Sequence, residues 1–231
     1  MRRRMTVARR VRLGAVFVNF KRPDLLFAAL NTLETEHRLK LFIVDNSTGR
    51  LPSLAAAWNR GISQALAWGA DWVLVSNDDV LFHPLTLDRL VERAAEKGYG
   101  FLCPVDIRKE YGLGPEDIAR FTPPDVGEDR PEANYSCFLL SPALYREIGP
   151  FDEAFTPAYF EDADYNLRLG LAGKPGMTTT YAPYFHYGGA SGGIPRSVAD
   201  RNRCYFIDKW KDEIPWVEAF ATTGGHLSSD T

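Results

Sequence analysis

A chain of 231 residues with 45% hydrophobic and 13% aromatic side chains can bury a sizeable core, as one large domain or two small ones. Its formal net charge of -3 supplies no bulk positive field, so nucleic acid is not an expected partner. No apolar run approaches the ~20 residues of a spanning helix, and no h-region marks a signal peptide. Cys103, Cys137 and Cys204 are too far apart for a Cys-x-x-Cys zinc site or a disulfide scaffold, and fit reduced thiols in a cytoplasm.

Arg2, Arg3, Arg4, Arg9, Arg10 and Arg12 crowd the N-terminus. Residues 1–12 read as a basic solvated tail, with weak contact to an anionic membrane surface as the competing reading. Leu13 to Val18 is predicted as the first strand, ending at Asn19. Pro23 suits the first turn of a helix, in which Leu25, Leu26, Ala29, Leu30 and Leu33 repeat at helical spacing. Leu41 to Val44 is a second strand ending at Asp45-Asn46-Ser47. Leu54, Trp58, Ile62 and Ala65 mark one face of a helix from Ser53 to Trp68, stopped by Gly69. Trp72 to Val75 reads as a strand buried on both faces, closed by Asn77-Asp78-Asp79. A helix around Leu87, Leu90, Val91 and Ala94 stops at Gly98, and Tyr99 to Cys103 is a further strand. This alternation predicts βαβ units and a parallel sheet.

Parallel strands bring their carboxyl ends to one edge, where ligands bind in open α/β sheets. Asn19, Asp45 and Asn77-Asp78-Asp79 are expected to share that crevice. Two carboxylates and an amide could hold a divalent cation there, and through it a diphosphate. A polar turn that closes the strand and caps the next helix is the plainer alternative.

Pro104 to Ala133 is rich in Pro, Gly, Asp and Glu without periodicity, and is expected to be a flexible loop or lid. Tyr135 to Leu140 is a strand, and Ser141-Pro142 opens a short helix that ends at Gly149. Glu161 to Ala172 reads as a helix whose first turn carries Glu161, Asp162 and Asp164. The helix dipole favours one or two acids there. The aromatic residues just upstream predict carboxylates beside apolar surface, with raised pKa values suited to a base. Thr178 to Tyr181 is a strand, followed by Pro183, by His186, and by a glycine run that lacks phosphate-loop spacing. Ser197 to Lys211 is amphipathic, and residues 212–231 read as a C-terminal tail. No repeat or linker divides the chain, so residues 13–211 read as one domain.

The pieces Val18-Asn19-Phe20-Lys21-Arg22-Pro23-Asp24, Ile43-Val44-Asp45-Asn46-Ser47, Trp58-Asn59-Arg60-Gly61-Ile62 and Leu74-Val75-Ser76-Asn77-Asp78-Asp79-Val80 come in a specific order. Gly149-Pro150-Phe151-Asp152-Glu153-Ala154-Phe155, Phe160-Glu161-Asp162-Ala163-Asp164 and His186 follow. Together, from about Gly14 to Lys211, they resemble family 2 glycosyltransferases of the GT-A fold, most closely the rhamnosyltransferase-like branch. The resemblance implies a three-layer α/β/α sandwich around a mostly parallel sheet. A Rossmann-like nucleotide-binding half would span 13–103, a flexible loop 104–134 and an acceptor half 135–211.

The resemblance further implies a nucleotide-diphosphate-sugar donor, a divalent metal (Mn2+ or Mg2+), and inversion at the anomeric carbon. The acceptor would be a hydroxyl on a glycan, a lipid-linked sugar or another molecule. Asn19 and Asp45 would contact the nucleoside, with Arg22, Asn59, Asn77 and Asp78 around the same donor. Asp79 would bind the metal, with His186 as a second metal or diphosphate contact. Asp162 would be the general base, and Glu161 would orient the acceptor or cap the helix. Asn77 departs from the family pattern, standing where an Asp-x-Asp motif has its first Asp. The competing reading is a GT-A-fold nucleotide-sugar-binding protein without turnover. A cytoplasmic location is expected, with the inner membrane face and a homodimer left open.

Overall fold

The computed structural model describes residues 10–189 and 195–222. Arg2, Arg3, Arg4, Arg9 and the end of the glycine run lie outside them. β1 (Arg12–Asn19) is buried from Leu13 onward. Successive strand residues point to opposite faces. Leu13, Ala15 and Phe17 therefore meet Leu26 and Ala29 of α1 (Pro23–Asn31) and Leu87, Leu90, Val91 and Ala94 of α3 (Thr86–Lys97). Val16 and Val18 meet Trp58 and Ile62 of α2 (Leu54–Ala67), in a core shared with Tyr165 and Leu169 of α6 (Glu161–Leu171). Helices thus cover both faces of the sheet. At Gly61 a Cβ would collide with the Val16 side chain, so α2 can lie this close to β1 only with glycine there.

The remaining strands are β2 (Arg38–Asp45), β3 (Trp72–Asn77), β4 (Val80–Phe82), β5 (Phe101–Asp106), β6 (Asp129–Arg130), β7 (Cys137–Leu140) and β8 (Met177–His186). The 8-stranded sheet runs β2-β1-β3-β7-β5-β8-β4, with β6 also on β8. β1, β2, β3, β5 and β8 share a direction, while β7, β4 and β6 run against it.

Three expectations are corrected. The stretch from Pro104 to Ala133 has structure of its own: β5 continues to Asp106, α4 (Ile107–Tyr111) follows, and β6 pairs with β8. Its hold is both apolar and polar: Ile107 and Ile118 are buried with Phe185 of β8, and Leu113 and Phe121 pack against them. Asp106 caps α4, and Arg93 reaches Asp129 and the Gly127 carbonyl. β8 does not end before Pro183. The β5–β8 register shifts between Pro104 and Val105, and this bulge lets strands containing proline on both sides continue. Residues beyond 211 are not all tail. Val217, Phe220 and Ala221 of α8 (Val217–Thr222) recur at helical spacing and are buried. They pack with Phe206 and Trp210 of α7 (Arg196–Trp210) in a separate core that includes Phe155, Ala163 and Leu167. Among the described residues no helix is long and apolar enough to cross a membrane.

Candidate active site at the carboxyl ends of the strands

The sheet places the expected strand ends side by side. Asn19 pairs with Asp45, and Val18 with Asn77. The Asn19 amide donates to Asp45 Oδ1 at 3.0 Å and to Ser47 Oγ at 3.1 Å. The Ser47 backbone N–H donates to Asp45 Oδ1 at 3.0 Å, its hydroxyl donates to the same oxygen, and Lys21 N–H donates to Ser47 Oγ at 3.0 Å. These bonds, the Ser47 hydroxyl's foremost, hold the exposed Asp45 carboxyl below the usual carboxylate range. Asn19 Oδ1 is buried without a hydrogen-bond partner.

At the end of β3, Asp78 is 3% exposed and accepts a bond from Phe20 N–H at 3.0 Å. Burial pushes its carboxyl up to about 6; the Phe20 bond pulls the other way and the Asp79 charge adds to the rise. The Arg22 guanidinium pairs with Asp24 at 2.8 Å, and that bond is the main reason its pKa is raised. Asp79 Oδ1 lies 3.2 Å from His186 Nε2. Backbone pairing fixes this contact: Val80 pairs with His186 across β4 and β8, and Tyr187 N–H donates to the Asp79 carbonyl at 3.0 Å. His186 Nδ1 is buried without a partner.

Beside these strand ends lies a cavity of about 400 Å³. Asn77, Asp106 and His186 form one wall, and Tyr159, Glu161 and Asp162 another. Glu110, Arg130 and Glu132 close a third, with Arg130 bridging both acids at 2.7 Å. Glu161 is 4% exposed. Burial, reinforced by the neighbouring Asp162 charge, raises its pKa well above the ordinary range, and its Oε2 has no hydrogen-bond partner. Asp162, only partly buried, accepts a bond from Ala163 N–H at 2.8 Å. Asp164 faces away from the cavity's chemistry: fully buried, it accepts from Arg168, Lys209 and Trp210 and ties α6 to α7.

The cavity therefore unites Asn77, His186, Glu161 and Asp162, with Asp79 reached through His186. Asn19, Arg22, Asp45 and Asp78 do not line it. Asn59 is placed differently from the sequence expectation, because its amide is spent on the fold. Nδ2 donates to the Phe151 carbonyl at 2.9 Å and to Glu153 at 2.8 Å, while Oδ1 accepts from Phe151 N–H and the Tyr145 hydroxyl. Asp106 was missed. It accepts from Arg108 N–H at 3.1 Å and from His186 N–H at 3.3 Å. The signal was there, a polar residue after an apolar run, but Pro104 ended that strand too early in the reading.

No family model matches the chain. It is 26% identical over 207 residues to a galactofuranosyl glycosyltransferase of Leishmania donovani, covering 68% of this chain and 46% of that protein. The chain thus spans about half the length of the curated relative it matches. Among solved structures it is similar to GalNAc-T7 with UDP, GalNAc and Mn2+, with a TM-score of 0.58 and 12% identity over 94% of this chain and 56% of that one. It is also similar to the mannosyltransferase PcManGT of Pyrobaculum calidifontis in complex with GDP-Man and Mn2+, with a TM-score of 0.60 and 14% identity over 93% and 74% of the two chains. By sequence the chain is similar to a glycosyltransferase, and its fold is the mixed α/β GT-A fold of these enzymes.

Proposed function

We propose that the chain is an inverting glycosyltransferase that moves a sugar from a nucleotide-diphosphate sugar to an acceptor hydroxyl, with Asp162 as general base. One observation carries this reading: a single cavity holds Asp162 on one wall and, on another, His186 in contact with Asp79. Their sharing one space supports a reading in which donor and acceptor chemistry meet there.

A divalent metal fits the donor side. Asp79 Oδ1 and His186 Nε2 lie 3.2 Å apart, the spacing of two neighbouring ligands on one ion. Among the described residues no cluster of three or more His, Cys, Asp or Glu could hold a metal by itself. Two protein ligands suit Mg2+ or Mn2+, which take the rest from phosphate and water. Asp79 and His186 would hold the ion, and when bound it neutralises the charge that grows on the departing diphosphate. Asn19 and Asp45, joined at the adjoining strand ends, would receive the nucleoside, with Asn77, Asp78 and Arg22 near the diphosphate.

Asp162 takes the proton from the acceptor hydroxyl. The hydroxyl oxygen then forms its bond to the anomeric carbon on the face opposite the breaking bond, and the electron pair of that bond leaves with the diphosphate. Glu161, 4% exposed against a partly buried Asp162, is the less accessible of the two carboxylates. It orients the acceptor. A second reading, donor binding without turnover, draws on Asn77 in place of a carboxylate. Incubating the protein with Mn2+ and a panel of nucleotide sugars, with and without acceptors, tests the two. Metal-dependent transfer supports the first reading, and binding with neither transfer nor hydrolysis supports the second.

A further inference from the structure

Two consecutive non-glycine residues before α6, Tyr159 at φ 79° and Phe160 at φ 75°, lie in the left-handed region. That conformation is costly for side chains with a Cβ, and it persists only where the surroundings impose it. Here they do. Asn202 of α7, 2% exposed, donates from Nδ2 to the carbonyls of Ala158 at 2.9 Å and Tyr159 at 3.1 Å. Its contact to the Thr156 carbonyl is 3.3 Å, and Arg201 reaches the same carbonyl. From the other side, Leu54 N–H donates to the Pro157 carbonyl at 2.8 Å.

The clamp sends the two rings in different directions. Phe160 packs on Phe206, 5.7 Å between centroids. Tyr159 lines the cavity beside Glu161 and Asp162, remains 47% exposed, and has no aromatic contact among the described residues. The fold gains little burial from a ring it holds at such cost. What the ring is held for lies in the cavity.

We propose that Tyr159 is the platform on which the ring of a saccharide acceptor stacks beside Asp162, which makes the acceptor class a carbohydrate. This rests on the sugar-transfer reading. A sugar ring presents a face of weakly positive C–H groups that suits the electron-rich face of tyrosine, with hydroxyls around its rim. Beside the tyrosine, Glu161 lines the same cavity with an oxygen, Oε2, that is buried without a hydrogen-bond partner and can meet such a hydroxyl. A hydrocarbon chain would match the tyrosine but leave the buried Glu161 Oε2 without a partner.

Saturation-transfer NMR on the full chain with UDP and Mn2+ tests this, using methyl glycosides of galactose, mannose, rhamnose and N-acetylglucosamine beside 1-octanol. At least one glycoside should bind, with saturation on its ring protons. Tyr159→Phe should keep its Kd within about twofold, and Tyr159→Ala should weaken it about tenfold or more. Tyr159→Gly should lose binding equally while raising Tm, because it removes the left-handed side chain; a merely structural tyrosine would lower both. Affinity for UDP-galactose or GDP-mannose should not move. A Kd for the glycoside that is indifferent to Tyr159→Ala, octanol binding in place of every glycoside, or loss of donor affinity instead would each overturn the assignment. If UDP with Mn2+ fails to bind the wild-type chain, the sugar-transfer reading falls and this inference with it; if UDP binds and only the glycoside result fails, the inference falls alone.

Discussion

At the carboxyl ends of β1 and β2 the polar groups largely satisfy one another, and in the turn that enters α6 they do not. Asn19, Asp45, Ser47 and Lys21 form a connected set of hydrogen bonds at and just beyond the ends of adjacent strands. Across the cavity, Glu161 keeps a buried oxygen without a partner, and Tyr159 and Phe160 hold left-handed backbone. The first arrangement follows from strand register, and within it only Asn19 Oδ1 is buried without a partner. The second is imposed from outside, by Asn202 and by Leu54. Binding needs a stable rest state, whereas proton transfer needs groups whose surroundings shift their affinity for protons, and such surroundings are costly.

Substitutions can break or sharpen this contrast. The largest effect is expected from Asp162→Asn, which keeps the shape and removes the basicity. Initial rates with acceptor should fall by ~10²–10⁴-fold while nucleoside diphosphate affinity stays near wild type. Retention of more than about a tenth of the rate would remove Asp162 as the base. Next, Asp79→Ala should abolish most of the tightening that Mn2+ gives to nucleoside diphosphate binding, read by calorimetry with and without the ion. The loss should be at least the ~10–100-fold that even outer-shell changes cost a metal site. Equal affinities with and without the ion in both proteins would dissolve the donor side as drawn.

Glu161→Gln is expected to cost less than about tenfold in rate, since it keeps the buried shape and gives up a group that is not the base. Its sharper readout is stability. Because the folded-state pKa of Glu161 is raised, the stability it contributes is complete at acid pH and is lost as pH climbs through that raised value. The glutamine variant should lack this decline, so a wild-type-like fall in its Tm above the ordinary carboxylate range would contradict the burial argument. Asn59→Ala leaves Phe151 N–H and its carbonyl without their partners. It should cost ~1–3 kcal/mol of stability and leave nucleotide affinity unmoved; weaker nucleotide binding in a folded variant would restore Asn59 to the donor site. The smallest effect concerns Asp78. With its carboxyl raised from 3.8 to about 6, its stabilising contribution is full below pH ~4 and is lost as pH rises through about 6. Asp78→Asn keeps an acceptor for Phe20 N–H, so Tm should gain a few degrees at pH 7 and flatten between pH 4 and 6.5.

Much of the donor side was legible because an apolar run that stops at Asn19, Asp45 or Asn77 reports its own boundary. What those residues then do was less legible. Asn59 sits in a matching motif, yet its bonds go to Phe151 and Glu153, more than ninety positions away. The insertion of β7 between β3 and β5 is likewise a matter of non-local pairing, which periodicity does not encode. β4 is too short to show an alternation. The prolines at 104 and 183 were read as strand ends because proline removes a ladder donor, and the register shift beside them was invisible without the partner strand. The acidic pair that opens α6 was evident as a pair. Its division into a buried Glu161 and a partly exposed Asp162 required the fold.

The third core has a thermal consequence. Phe206, Trp210, Ile214, Val217 and Phe220 pack apart from the two clusters that flank the sheet, and they support the helix from which Asn202 clamps Ala158 and Tyr159. Small peripheral clusters open at lower free energy than a central sheet. On gentle warming the α7–α8 layer should therefore lose hydrogen-exchange protection before β1 and β3 do. The proposed function then implies a temperature window in which nucleotide affinity survives while transfer fails, because the turn that carries Tyr159 is no longer held.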